Sequence, residues 1–213
     1  MTSKLSSSPA AGERNRVHYA VAPERMPAIS ENEMTPAQKT AAAELAAGPR
    51  KEVKGPVVSL LRSPDLMGRV QKVGEYIRFI CPLDKRINEF AAIIAARHLN
   101  QQFEWWAHSR QALEAGLKPE IADAVREGRR PVGMAEDEEV TYDLLIEVLI
   151  NKGASDTTYA RAIATFGEQG VIDLIAIAGY YALLAMVMNV TRTAVPEGPP
   201  LPLPPLPIRT APL

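Results

Sequence analysis

Glu89 and His108 are the two residues of this 213-residue chain whose types and spacing could support acid–base chemistry. They lie on either side of the polar segment HLNQQ, residues 98–102, where the chain can reverse direction. After a reversal near Asn100, both lie at similar distances from the turn, within about one helical turn of each other. A carboxylate that faces an imidazole orients the ring and stabilises its protonated form. A Glu and a His at this spacing are also typical of a surface ion pair, so the pattern alone leaves both interpretations open.

Three further side chains are candidates for the same cleft. Glu104 precedes His108 by one helical turn on the same helix face, and we expect it to be a second catalytic carboxylate. Trp105 could form an aromatic wall, although a core position is the ordinary alternative for a tryptophan. From the preceding helix, Arg97 or His98 could reach the cleft, and Arg97 is the predicted partner of a substrate carboxylate.

Composition narrows the classes of function. The formal net charge of −1 gives no electrostatic reason to expect a nucleic acid or an anionic membrane surface as partner. A single cysteine, Cys81, excludes an intrachain disulfide, a CxxC redox pair and a thiolate zinc cluster, and it fits a reducing, cytoplasmic compartment. The three histidines are too scattered for a metal-binding motif. We therefore expect neither a metal nor an organic cofactor.

One segment, residues 171–188, is apolar enough to be weighed as a membrane span. It is barely long enough to cross a bilayer, and it carries Gly179, Tyr180 and Tyr181 at its centre. A helix that is apolar on all sides is more often the buried core of a multi-subunit protein. The segment therefore predicts a homo-oligomer and no membrane association.

The chain divides into three zones. Residues 1–34 predict an extended N-terminal arm, and residues 35–195 predict an all-α domain without strands. Residues 196–213 hold eight of the eighteen prolines and must be extended. Capping residues and glycines place helix starts at Thr35, Ser63, Asp84, Pro119 and Ser155 or Asp156, and helix ends at Gly48, Gly116, Gly153 and Gly167. A final helix then runs from about Glu168 past Asn189, and a break near Asn100 is preferred over one helix from Asp84 to Ala115.

Residues 88–125 resemble the signature segment of the carboxymuconolactone decarboxylase and alkylhydroperoxidase-like family. Glu89, Glu104, His108 and Gly116-Leu117 fall where the family pattern has a Glu, a segment ending in His, and a Gly-Leu before the next helix. Residues 170–189 resemble the closing helix of the family, so the likeness covers about residues 60–190. It implies a compact multi-helix alkylhydroperoxidase-like domain that assembles as a trimer or a hexamer.

The thiols of the family decide which branch this chain resembles. Peroxidase-type members have a CxxC before the histidine, and this chain has Gln101 and Glu104 at those two positions. Thiol–disulfide exchange needs a resolving thiol, so the redox branch is excluded. The resemblance then implies a lyase that decarboxylates small carboxylated lactones from aromatic-acid breakdown, with a catalytic unit of His108, Glu89 and Glu104. An isomerase, dehydratase or hydrolase on the same scaffold remains an alternative, as does a non-catalytic scaffold.

The proline-rich tail could recruit a separate partner or could bind its own domain. Leu201, Leu203 and Leu206 alternate with prolines, so a polyproline helix would present a ridge of leucines. A stiff segment loses little entropy when it docks. We expect residues 199–207 to lie in a groove on the helical domain, on a neighbouring subunit, and to help hold the oligomer.

Overall fold

The computed structural model describes residues 23–196 and 201–204, and every regular element within these ranges is a helix. A 3-10 turn at Glu31–Glu33 precedes the α-helices. The α-helices are α1 Pro36–Ala47, α2 Pro56–Leu60, α3 Pro64–Phe79, α4 Lys85–His98, α5 Gln102–Glu114, α6 Pro119–Arg126, α7 Glu136–Asn151 and α8 Asp156–Thr191. The prediction of an all-α domain is confirmed.

Side-chain caps fix most of the predicted helix starts. Thr35 and Gln38 form a reciprocal capping box at α1. The carboxylate of Asp84 accepts the backbone N–H of Arg86, and the hydroxyl of Ser155 accepts that of Thr158. The Ser63 side chain makes no such hydrogen bond, so the prediction that it caps α3 is wrong. Helix α3 nevertheless begins at the next residue, Pro64, whose fixed φ suits a first helical position.

Helix α4 is the centre of the core. Its residues from Phe90 to Ala96 are at most 2 % exposed, and the helix packs against α5, α6, α7 and α8. Small alanines alternate with larger residues here, which lets four helices approach one axis closely. The side chains of α4 that face the neighbouring helices are therefore closely packed.

The chain reverses between α4 and α5 as predicted. Asn100 adopts a left-handed conformation with φ of 53°, which Asn tolerates better than most residues. The side chain of Gln101 accepts the backbone N–H of Glu104 at 3.0 Å and so caps α5. From α8, Asn189 donates to the carbonyl of Leu99 at 2.9 Å. The reversal makes α4 and α5 neighbours in the core.

Helix α2 was not predicted, because Gly55-Pro56 and the short apolar run after it look like a loop. Gly55 has φ of 61°, and a Cβ at this position would lie 2.7 Å from the Phe103 ring. Only glycine meets both demands without strain. Pro56 suits a first helical position, and α2 packs against α8 and α3.

Helix α8 contains the predicted break. Gly167 has φ of 67° and ψ of 176°, so two helical stretches meet there at a non-helical residue. The second stretch is long and apolar enough to cross a membrane by length and composition, but core helices of soluble proteins also meet that criterion. Its one charged residue between 171 and 191, Asp173, is buried and accepts a hydrogen bond from the Tyr76 hydroxyl of α3 at 3.1 Å.

The described parts of the two terminal zones pack against the domain. In the arm, the backbone N–H of Arg25 donates to Thr191 O at 2.8 Å, and its guanidinium donates to Val190 O at 3.0 Å. These carbonyls at the end of α8 have no partner within the helix. In the tail, Leu203 is 1 % exposed and belongs to the core. The rest of both zones, residues 1–22, 197–200 and 205–213, lies outside the described residues.

The tail docks on its own chain. The side-chain amide of Gln102 donates to Leu203 O at 3.0 Å and accepts the Leu203 N–H at 2.8 Å. Arg97 donates to Pro204 O at 2.8 Å. Residues 201–204 therefore pack against the helical domain as expected, here on their own chain, and the rest of the predicted segment 199–207 lies outside the described residues.

Candidate functional site

The predicted Glu89–His108 pair forms across α4 and α5. Nδ1 of His108 lies 2.6 Å from Oε2 of Glu89. Glu89 is fully buried and His108 is 6 % exposed. With Glu89 ionised, Nδ1 must carry the hydrogen and donate it, because a carboxylate can only accept. This hydrogen bond fixes the orientation of the ring and directs Nε2 away from Glu89.

Lys85 is the second partner of Glu89. Its Nζ lies 2.5 Å from Oε1, one helical turn before Glu89 on α4. Burial would by itself raise the pKa of Glu89, but the hydrogen bond and charge of His108, together with Lys85, lower it below its ordinary value. Glu89 therefore lies deep in the core with its pKa lowered, with the Lys85 ammonium at one oxygen and the His108 ring at the other.

A cavity of about 350 Å³ opens beside this pair. This volume is in the usual range for a small-molecule site. His108 lines the cavity and Glu89 does not, so the imidazole separates the carboxylate from the cavity space. The lining also includes four cationic side chains, three acidic ones and several aromatic rings, namely Arg50, Lys54, Arg78, Arg110, Glu52, Glu104, Glu114, Phe103, Trp106, Tyr180 and Tyr181.

Glu104 borders the cavity as an isolated acid. It is 3 % exposed, and neither of its carboxyl oxygens makes a hydrogen bond within the described residues. Desolvation by burial raises the pKa of Glu104 well above its ordinary value. Burial accordingly favours the protonated carboxylic acid, which can donate a proton or a hydrogen bond.

Two arginines and a tyrosine form the cationic part of the cavity. Arg50 donates from Nη2 to the Tyr180 hydroxyl at 2.7 Å. The Nε atoms of Arg50 and Arg78 are buried and make no hydrogen bond to any described residue. Burial raises the pKa of the Tyr180 phenol, whereas the charges of Arg50 and then Arg78 act to lower it. The cluster can therefore receive an anionic group.

Gly74 on α3 makes room for that cluster. A Cβ at this position would lie 2.1 Å from the Tyr180 hydroxyl and 2.5 Å from Arg50 Nη2. No side chain fits at such distances without displacing one of the two groups. The absence of a side chain at 74 is what lets Arg50 and Tyr180 meet against α3.

The ring of Tyr181 holds the other side of His108. The two ring centroids are 4.6 Å apart and the planes meet at 69°, an edge-to-face contact. The Tyr181 hydroxyl is buried and makes no hydrogen bond within the described part of the chain. Burial raises its pKa well above the ordinary value, so the phenol stays neutral. His108 is thus held by a hydrogen bond from α4 and a ring contact from α8.

Two residues predicted to bind substrate do not line this cavity. Arg97 is 4 % exposed and uses its guanidinium to hold Pro204 of the tail. Trp105 is 4 % exposed and belongs to the core, because the cavity-facing side of α5 carries Phe103, Trp106 and Ala107 instead. The expectation that Arg97 and Trp105 share a cleft with His108 is therefore corrected for this cavity. His98 and Cys81 are also absent from its lining.

Sequence reasoning missed Lys85, Arg50, Arg78 and Trp106 as residues of the site. Tyr180 and Tyr181 are buried core residues that also line the cavity. Lys85 could have been found, because it precedes Glu89 by four residues on one helix. Arg50 and Arg78 come from distant segments, and no local pattern connects them to His108. Among the described residues, no group of three or more His, Cys, Asp or Glu side chains could hold a metal ion. Comparison with known proteins found no matching family model, curated protein or solved structure.

Proposed function

We propose that this protein is a cofactor-independent acid–base lyase that acts on a small carboxylated lactone or a related unsaturated acid. The observation that carries the proposal is the buried Glu89–His108 hydrogen bond of 2.6 Å at the wall of a cavity. A surface ion pair would be exposed and of little energetic consequence. A buried pair whose imidazole lines a cavity is instead an arrangement suited to general acid–base catalysis.

The resemblance to the carboxymuconolactone decarboxylase family supports the choice of reaction. In the proposed step, the bond between the carboxylate carbon and the ring carbon breaks, and CO2 leaves. The electron pair of the broken bond moves into the unsaturated lactone and forms a dienolate. A proton from an acid in the cavity then forms the new C–H bond, and solvent restores that proton. The net reaction exchanges CO2 for one proton and needs no oxidant.

The residues have separate parts in this proposal. His108 exchanges the proton through Nε2, and Glu89 positions the ring through Nδ1. Glu104, whose pKa is raised by burial, is a second acid in the same cavity and can supply the proton. Arg50, Arg78 and the Tyr180 hydroxyl replace Arg97 as the group that recognises the substrate carboxylate, since their charge is in the cavity and Arg97 is not.

The experiment is to incubate the purified protein with a panel of carboxylated unsaturated lactones in D2O. CO2 release with one deuterium incorporated per product is the expected result, and His108→Ala should abolish both. Deuterium exchange or rearrangement without CO2 release would assign the site to the isomerase, dehydratase or hydrolase alternative. Neither turnover nor exchange with any member of the panel would contradict the lyase proposal.

Recognition of the carboxylate can be tested separately. Arg50→Ala and Arg78→Ala should each raise KM about ten- to hundredfold, because a hydrogen bond to a charged group contributes about 1.5–3 kcal/mol. Arg97→Ala is the matched control, since Arg97 is an equally cationic residue outside the cavity lining. A KM that rises for Arg97→Ala and not for the other two would return the carboxylate site to Arg97.

A further inference from the structure

Helix α8 leaves one apolar stripe exposed to solvent. From Ile172 to Val190, each exposed residue of the helix is apolar or glycine, and the spacing follows the helical period of 3.6. The stripe consists of Ile172 (64 % exposed), Ile175 (39 %), Gly179, Leu183 (36 %), Met186 (55 %) and Val190 (61 %). Scattered exposed apolar side chains are normal on a soluble protein, but a continuous row of them indicates a surface that something else covers.

The stripe is symmetric about Gly179. In two helices that pack antiparallel across a two-fold axis at residue 179, residues at equal distances before and after it face each other. Ile172 then faces Met186 of the second copy, and Ile175 faces Leu183. The half-buried Ala176 and Ala182 make a third pair. All three pairs are apolar, and the same surface serves both copies, as a two-fold interface requires.

Glycine at the centre suits a close crossing. A Cβ at position 179 would meet no atom of its own chain within 4 Å, so the space above it is open in the single chain. With alanines at 176 and 182 on either side, the two helix backbones can approach to the short end of the usual interaxial range, about 8 Å. Val190 would face Glu168 of the second copy, so the complementary part is Ile172–Met186, about 21 Å long.

We infer that the exposed stripe of α8 is a two-fold interface at which a second copy of this chain packs antiparallel, with the two Gly179 residues at the crossing point. Such a contact produces a dimer, or a hexamer built of three dimers, and it does not by itself produce a trimer. The inference rests on the helix surface and is independent of the proposed chemistry.

A lipid surface fits the same stripe less well. The window of highest hydropathy in α8 is 56 % buried within the chain, so a large part of the helix already has protein neighbours. The neighbouring helix α3 exposes Arg69 and Lys72. Charged side chains are costly in hydrocarbon, so an adjacent helix that exposes cations favours a protein partner over a lipid surface.

Gly179→Leu tests the interface without disturbing the single chain, because the added side chain enters open space there. We expect sedimentation equilibrium to show a dimer or a hexamer for the wild type. For Gly179→Leu the dissociation constant of the assembly should rise about tenfold or more. Gly68→Leu on α3 is the matched control, since a Cβ at that position also meets nothing within 4 Å and lies outside the stripe. A monomeric wild type, or unchanged association of Gly179→Leu, would overturn the inference.

Charge exchange tests the register. Ile175→Lys places a lysine against Leu183 of the other copy and should dissociate the dimer, and adding Leu183→Glu should restore it through two symmetric ion pairs. The double change Ile175→Glu with Leu183→Glu should remain dissociated. Restoration by both double changes, or by neither, would overturn the antiparallel register.

Disulfide trapping gives an independent measure. At a crossing of 8–10 Å, two Cα atoms at the contact lie roughly 3.4–5.4 Å apart, which overlaps the range that a disulfide spans. In a Cys81→Ser background, Gly179→Cys should cross-link to a dimer on oxidation, whereas Gly68→Cys should not. Equal cross-linking of the two variants would contradict the inference. Co-flotation with vesicles of anionic and zwitterionic phospholipid, without self-association, would assign the stripe to a membrane and overturn it.

Discussion

His108 is the only member of the buried pair that reaches the cavity, so the two residues have unequal parts. Glu89 acts through the ring: it holds Nδ1 and compensates positive charge on the imidazole when Nε2 takes up a proton. The charge of Lys85 on the other oxygen keeps Glu89 ionised. In the proposed reaction the pair passes a proton at Nε2 without moving the carboxylate, and its efficiency depends on the hydrogen bond remaining in place.

Removing the acid–base function of either His108 or Glu89 should slow the proposed reaction strongly. His108→Ala and Glu89→Gln should each lower kcat about 10²–10⁴-fold, the usual contribution of a general acid–base group. Cys81→Ser is the control and should leave kcat unchanged, because Cys81 does not line the cavity and burial raises its thiol pKa. A peroxide-reducing activity that disappears with Cys81→Ser would show that the thiol branch of the chemistry had been wrongly excluded.

Glu104 should make the folded protein less stable as the pH rises. Its pKa is raised by burial, so the folded chain keeps a proton that the unfolded chain loses above about pH 4.3. The folded state binds more protons, and stability falls between that pH and the raised pKa, by about 1.4 kcal/mol per pH unit. Glu104→Gln removes the titration, so its gain in melting temperature over wild type should grow with pH.

The comparison is a series of thermal melts from pH 4.5 to pH 8.5. Glu127→Gln is the control, because this carboxylate is at the surface and its pKa is lowered by Arg129 rather than raised. The control should show no gain that grows with pH. If Glu104→Gln tracked wild type at every pH, Glu104 would be an ionised residue, and its proposed part as proton donor would be lost.

The position of the catalytic unit depends on the short turn between α4 and α5. Asn100 has a positive φ there, and Gln101 caps the next helix. The three-residue turn 99–101 therefore sets the offset between Glu89 and His108. A helix continuous from Asp84 to Ala115 would have placed the two residues about 28 Å apart. The polar cluster at 98–102 was enough to predict the break, because a long uncapped helix is rare and Asn favours this conformation.

Asn100→Val should test that turn, with Asn100→Gly as the matched control. Valine is β-branched and pays about 1–2 kcal/mol or more in a left-handed conformation, whereas glycine adopts it readily. We expect a lower melting temperature and a lower kcat for the valine variant, since α5 would shift relative to Glu89. Equal melting temperatures for the two variants would mean that the turn does not constrain α5.

What could be predicted from the sequence is what local chemistry decides. Thr35, Asp84, Asn100 and Gly167 carry their own backbone preferences, and the helices begin, reverse and break at them. The Glu89–His108 contact followed from the reversal, because helix rise fixes the offset. Arg50, Arg78 and helix α2 could not be foreseen, since their positions result from packing between segments far apart in the sequence.

The position of Arg97 also results from packing between segments that are far apart in the sequence. Its place on α4 suggested a side chain directed toward α5 and the cleft, yet four helices surround α4 and no α4 residue lines the cavity. Arg97 faces the tail, whose position depends on Leu203 finding a pocket in the core.

Described residues of the N-terminal arm and of the proline-rich tail pack against the helices. Arg25 of the arm caps the carbonyls at the end of α8, and residues 201–204 of the tail cover the turn between α4 and α5. The tail thus packs against the same turn that positions Glu89 and His108. A tail that is buried at Leu203 and hydrogen-bonded on both sides of that residue is also poorly available as a ligand for a separate partner.

Deleting residues 196–213 should therefore destabilise the domain. The deletion exposes the pocket of Leu203 and leaves the buried guanidinium of Arg97 without its Pro204 partner, and an unpaired buried polar group costs about 1–3 kcal/mol. Leu203→Ala should reproduce part of the loss, and Leu201→Ala, at a half-buried position two residues earlier, should lose less. Because the tail docks on its own chain, the drop in melting temperature should not depend on protein concentration, whereas a tail exchanged between subunits would make the difference from wild type vary with dilution. An unchanged melting temperature for the deletion would mean that the tail is not structural and would revive its role as a partner ligand.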